Sequence, residues 1–270
     1  LSPFVYSYLV TNLGNPASKG GFLIDLIAKL TPLDLPWVSI YLVFSLVSFL
    51  MLLIILSTKF PEVIRKDDEV VGAWETHLQL FRKRTVILFF FGIFAYVGAE
   101  QGIANWISEF LRTYHGLSPE LEGARTVGLF WGMMTVGCFL GLGLLKLMDS
   151  KLVLGIFTSA ALIILTFTLF GSVKIALFGF AALGFCLSVM YAIIFSLALN
   201  SVKEYHGSFA GILCTAIAGG AIFSLLIGKL KDLIGLQMGM VLLYLPLAYI
   251  LSIAFWAKPI VSNATIGKKD

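Results

Sequence analysis

The sequence predicts an all-α, multi-pass membrane protein, and three observations carry that expectation. Of 270 residues, 59% are hydrophobic and 13% charged, whereas soluble domains carry roughly 25% charged residues. Mean hydropathy is +0.97. Seven apolar runs, at about 36–58, 85–111, 126–147, 152–171, 174–199, 208–228 and 237–257, each reach the roughly 20 residues that a helix needs to cross a bilayer.

Residues 1–14 open with "LSPFVYSYLV" and stop at Asn12 and Asn15. That stretch is too short to span, and it reads as the end of a helix that starts earlier. The chain is therefore expected to be a fragment of a longer protein. The run 36–58 is the first complete span.

Residues 59–84 follow as "KFPEVIRKDDEVVGAWETHLQLFRKR". Val70, Trp74, Leu78 and Phe81 recur there at near-helical spacing among Asp67, Asp68, Glu69, Arg82 and Lys83. That is the pattern of a short helix lying along the membrane surface; a docking site for a soluble partner is the alternative. From Leu111 onward the connections are short, so successive spans are expected as antiparallel neighbours in one bundle over 85–257. Residues 258–270 form a polar tail.

Orientation follows from the basic residues. Twelve of the nineteen Lys and Arg fall in loop 59–84, the 146–151 connection, the turn at Lys203 and the tail. Lys and Arg concentrate on the cytoplasmic side of membrane proteins, which places the loop and the tail there.

Small residues indicate how the helices pack. Gly207, Gly211, Thr215 and Gly219 repeat every four residues, as do Ala216, Gly220, Ser224 and Gly228. Gly128 and Gly132, and Gly137 and Gly141, share the spacing. Such ridges let helix backbones approach closely in lipid, so leucine at Gly211 or Gly219 is expected to force helices apart.

The polar residues of the second run stand out. "YVGAEQGIANW", residues 96–106, places Glu100, Gln101 and Asn105 inside a Phe-rich stretch. A carboxylate at membrane depth costs a few kcal/mol unless it is protonated, paired or wet. At about 100° per residue, Gln101, Asn105 and Ser108 share one stripe, while Tyr96 and Glu100 share the adjacent one. Such a helix lines a hydrated cavity or forms an interhelical hydrogen-bond clamp. With Tyr191, Thr135, Ser188 and Thr215 elsewhere and the indole of Trp106, these groups suit a polyhydroxylated, uncharged solute. Its hydroxyls would bond the acid and amides, and its apolar face would stack on an aromatic ring.

Other function classes find little support. A net charge of +4, scattered along the chain, gives no nucleic-acid footprint. No Lys lies mid-span to carry a retinal Schiff base. Cys138, Cys186 and Cys214 all fall in apolar runs, and no pair has metal-ligand spacing. His77, His115 and His206 are far apart. Neither a phosphate loop nor a hydrolase motif is present, so no enzyme, metal site or cofactor is expected.

A family resemblance rests on "FFFGIFAYVGAEQGIANWISEFL", "GLFWGMMTVGCFLG", "SVMYAIIFSLAL" and "AGGAIFSLLIGKLKDLIG", in that order. These resemble the fucose–galactose–glucose:cation symporter branch of the major facilitator superfamily. The resemblance implies that residues 1–58 end the N-terminal half of that fold, with a partial fifth helix (1–14) and the sixth helix (36–58). Residues 59–84 would then join the halves, and 85–257 would supply the C-terminal six-helix half. It further implies a hexose or deoxyhexose substrate moved by alternating access, with H+ or Na+ as the coupling ion. Glu100, Gln101, Asn105, Trp106, Tyr96 and Tyr191 are then the candidate substrate-binding or coupling residues. "KLMDSK", 146–151, is a degenerate copy of the family's Gly/Asp/Arg loop, and Cys138 stands where relatives often carry Arg. The implied partners are the sugar, the bilayer and the N-terminal half of the same protein, which as a monomer would sit in a bacterial inner membrane. A transporter of another small solute, a drug or an organic anion, is the alternative within this fold. A seven-helix receptor is the alternative outside it.

Overall fold

The computed structural model describes residues 27, 29–32, 35, 38–59 and 74–261. The helix end expected within 1–14, most of loop 59–84 and the tail beyond 261 lie outside them. Among the described residues the regular structure is helical throughout. Seven stretches are long and apolar enough to cross a membrane: Ser39–Ser57, Arg84–Ala104, Pro119–Leu147, Ser150–Phe170, Val173–Leu199, His206–Ile234 and Leu236–Trp256. The fold class expected from the sequence is the one found.

The elements are α1 (Ser39–Ser57), α2 (Trp74–Phe81), α3 (Arg84–Ala104) and α4 (Ile107–His115). A π-helical turn, Pro119–Gly123, leads into α5 (Ala124–Leu147), and α6 (Ser150–Phe170) follows. The chain continues with α7 (Val173–Leu187), α8 (Met190–Leu199), α9 (His206–Thr215) and α10 (Gly219–Ile234), then α11 (Leu236–Met240) and α12 (Tyr244–Trp256).

Helix α3 is the hub. It packs against α8, α10 and α12, and twelve of its residues are buried, Phe89, Ile93, Ala99 and Ile103 completely. Helix α7 packs against α5 and α6. Helix α1 stands apart: Ser39 is its one buried residue, and Phe44, Phe49, Leu52 and Ile55 are exposed. The apolar side chains of this helix are therefore not buried by the described bundle. Helix α2 docks on α9 and buries Leu80.

Four of the spans expected from the sequence are interrupted, and three of the breaks have a local cause. Between α7 and α8, Ser188 turns its hydroxyl back onto the Phe185 carbonyl at 2.7 Å, competing with the helical ladder. Between α11 and α12, Val241–Leu243 tightens to a 3-10 turn just before Pro246, which has no N–H to offer the carbonyl of Leu242. Between α9 and α10, Ala216–Ala218 does the same ahead of Gly219 and Gly220. The fourth break is Asn105–Trp106, between α3 and α4.

The ridges of small residues divide by face. Gly220, Ser224 and Gly228 lie against α3 and the break that follows it: a Cβ at Gly220 would fall 2.9 Å from Gln101 Cγ, and one at Gly228 3.2 Å from the Trp106 ring. A Cβ at Gly219 would collide with the Phe94 carbonyl oxygen. Gly211 corrects the sequence expectation, because a Cβ there would meet nothing within 4 Å. Its part of the ridge turns outward, since Gly207, Gly211 and Thr215 lie on the exposed side of α9, and Gly219 alone, past the 3-10 turn, is buried. Elsewhere, Gly184 would collide with the Phe130 carbonyl and Gly137 with Ser188, which sets the close crossing of α5 and α7.

Candidate functional site

The six residues singled out by sequence separate into two groups around α3. The first group is Tyr96, Glu100, Gln101 and Tyr191. Tyr96 is buried, 3% exposed, and its phenol is in electrostatic contact with the Glu100 carboxylate one turn on. Its ring centroid lies 5.7 Å from that of Tyr191 on α8. Tyr191 also feels the Glu100 charge, and the exposed Cys138 of α5 lies within electrostatic range of Tyr96. Gln101 donates from Nε2 to Glu100 Oε1 at 3.0 Å.

Glu100 itself is half-buried. It has neither a lysine nor an arginine as ion-pair partner among the described residues. A buried carboxylate without a counter-charge is costly, so partial exposure and the Gln101 amide are what make the position tenable. The Tyr96 phenol lies against the same carboxylate, so an amide and a phenol both approach Glu100.

The second group faces α10. Asn105 donates from Nδ2 to Ser224 Oγ at 3.0 Å, which is the interhelical clamp anticipated as an alternative to cavity lining. Trp106 packs its indole on Gly228, with Lys231 Nζ 5.3 Å above the ring. It packs on α10, and its buried Nε1 has no hydrogen-bond partner among the described residues. Beyond it, Lys231 reaches Glu109 at 2.8 Å and Glu109 holds Arg112 at 2.7 Å. The polar stripe is thus divided: the Tyr96–Glu100 edge looks toward α8, and the Asn105–Trp106 edge fastens α10. Ser188 and Thr135 spend their hydroxyls on the Phe185 and Trp131 carbonyls, and Thr215 on that of Ile212.

Sequence reasoning did not single out Phe195, Ser224 or Lys231. Ser224 was visible as a small residue in a ridge, but its role as acceptor depends on Asn105, 119 positions away. Phe195 stacks on Tyr191, with centroids 5.7 Å apart and ring planes at 20°. One more aromatic in an apolar run carries no signal of that kind.

Comparison with known proteins agrees with this architecture. The Major Facilitator Superfamily profile matches residues 2–225. The glucose/galactose transporter of Brucella abortus biovar 1 (strain 9-941) is 34% identical over 212 residues, covering 78% of this chain and 51% of that protein. The putative glucose/galactose transporter of Helicobacter pylori (strain ATCC 700392 / 26695) is 28% identical over 237 residues, covering 87% and 55%. Among solved structures, the fucose:proton symporter FucP of E. coli superposes with a TM-score of 0.67 at 20% identity, covering 94% of this chain and 64% of that one. FucP in its outward conformation gives 0.68 at 21%, covering 94% and 63%. The chain spans about half the length of the transporters it matches in sequence.

Proposed function

The chain belongs to the Major Facilitator Superfamily, and on that premise we propose that it forms the C-terminal six-helix half of a sugar transporter. Its substrate is a hexose or deoxyhexose. Transport is driven by a proton or sodium gradient, and the two halves rock about a site near the bilayer midplane. The protein works as a monomer in a bacterial inner membrane, with loop 59–84 and the tail on the cytoplasmic side. The names of the relatives support the substrate class.

The observation that carries the reading is the Tyr96–Glu100–Gln101–Tyr191 group. It offers one half-buried carboxylate, one amide and two phenols in mutual contact. A pyranose presents hydroxyls around an apolar ring, so it needs acceptors, donors and a flat aromatic face in one place. Glu100 and Gln101 bind hydroxyls or the coupling ion, and Tyr191 provides the aromatic face. Asn105 and Trp106 act through α10, holding it to the break between α3 and α4.

The experiment is uptake of labelled glucose, galactose and fucose into proteoliposomes containing the complete transporter, under imposed proton or sodium gradients. Gradient-dependent accumulation of one of these sugars supports the reading. Accumulation of none of the three under either gradient contradicts it.

A further inference from the structure

Helix α8 follows the break at Ser188–Val189 and carries an outward stripe of Tyr191, Ala192, Phe195, Ser196, Leu199 and Asn200. These positions recur at i, i+1, i+4 and i+5, one side of a helix. The opposite side, with Ile193, Ile194, Leu197 and Ala198, is buried in the bundle. With His206, the outward stripe lines an open cleft of ≈ 660 Å³, within the about 300–1,000 Å³ typical of small-molecule sites.

Three features distinguish this cleft from a lipid-covered face. The α8 stripe presents Ser196 and Asn200, with His206 beside them. It also carries an aromatic wall, because Tyr191 and Phe195 stack with centroids 5.7 Å apart, and the buried Tyr96 backs Tyr191 at the same distance. Finally, its far end is fixed. The Asn200 side chain exchanges two hydrogen bonds with the Val261 backbone, and the Asn200 carbonyl accepts from Ile260 N–H at 2.8 Å. That clamp ties the segment after α12 across the foot of the cleft.

We propose that this cleft is a second sugar subsite, in which Phe195 and Tyr191 stack on the pyranose ring and Ser196 meets its hydroxyls as the solute leaves the Glu100 group toward the Lys203 end of the bundle. The inference rests on the sugar-transport reading. The apolar face of the ring passes from one aromatic to the next, burying area at each position. The weak, hydroxyl-poor lining suits a position that must be vacated quickly. Asn200 is engaged by the chain after α12, so it closes the track and does not bind the solute.

The test is efflux of labelled galactose from proteoliposomes of the complete transporter, with Phe195→Ala, Phe195→Leu and Phe195→Tyr beside wild type. Phe195→Leu keeps bulk and apolarity, which separates lost stacking from lost folding. Ala and Leu are expected to slow efflux about tenfold, the effect of losing roughly 1.4 kcal/mol, while the KM for uptake stays within about twofold. Tyr restores the rate. Wild-type efflux in both the Ala and Leu variants overturns the subsite and leaves the transport reading standing. A wild-type protein that carries no hexose overturns both.

Discussion

Asn105 and Ser224 meet across 119 residues of sequence, amide to hydroxyl at 3.0 Å, where α3 ends and α10 passes. Below this contact Gly220 receives Gln101, and above it Gly228 receives Trp106. The hydrogen bond therefore sits in the middle of a ridge-and-groove seam. It fastens the end of α3, one turn beyond Glu100, to α10.

The clamp is expected to be modest in energy. Interhelical hydrogen bonds in membrane proteins average about 0.6 kcal/mol in double-mutant cycles and reach about 1.7. Asn105→Ala and Ser224→Ala, singly and together, are expected to show a coupling of that size in thermal or denaturant unfolding in detergent. Full additivity would mean that the two side chains do not interact in the bilayer-mimicking state.

Gly219 and Gly211 give opposite expectations. A side chain at Gly219 collides with the Phe94 backbone, whereas one at Gly211 meets open space. Overpacking costs about 1–3 kcal/mol where the structure yields, and backbone yields least. Gly219→Leu is expected to lower the yield of folded, monodisperse protein sharply, and Gly211→Leu to leave it unchanged. Equal behaviour of the two variants in size-exclusion chromatography would contradict the packing described for α10.

Helix α1 is expected to be dispensable for the bundle, since Ser39 is its one buried residue. A chain trimmed to residues 74–270 should unfold within about 2–4 °C of the full chain, the shift expected from a change of about 1 kcal/mol. A much larger drop would show that α1 packs on the bundle.

The spans were legible because lipid imposes length and apolarity on each of them. Seven runs read from hydropathy correspond to the seven long helical segments. The breaks were not legible. Nothing at Asn105–Trp106 or Ser188–Val189 is a glycine or proline, and the interruption at Ser188 depends on where its hydroxyl turns. The ridges could be read as pattern, but the pattern is the same for a ridge that faces a neighbour and one that faces outward, so Gly211 and Gly220 looked alike. At the site, Glu100 and Tyr96 were legible from i, i+4 spacing within one helix. Tyr191 was legible only as a polar residue in an apolar run, and its contact with Tyr96 spans 95 positions of sequence. Trp106 was expected among the solute-binding or coupling residues, and helical spacing does not reveal its packing on Gly228 or the Lys231 ammonium over its ring.

The Glu109 ion pairs give a further expectation. Lys231 and Arg112 both reach this carboxylate, whose side chain is 22% exposed. Partly exposed pairs contribute up to about 1 kcal/mol and are screened by salt. Lys231→Met is therefore expected to lower the unfolding midpoint slightly in low salt and by less in high salt. A loss that does not change with salt would point to the packing of the Lys231 stem on Trp106 as the main contribution.

The most direct test concerns Glu100. Glu100→Gln keeps the shape and the hydrogen-bonding capacity of the side chain and removes its charge, so the contact with Gln101 can survive while proton or cation uptake cannot. Accumulation of labelled galactose against a gradient is measured in proteoliposomes of the complete transporter, beside equilibrium exchange of the same sugar. Glu100→Gln is expected to lose gradient-driven accumulation, to fold normally and to retain exchange. Normal accumulation in both Glu100→Gln and Glu100→Ala would contradict that expectation, leaving Glu100 neither a coupling group nor an essential ligand.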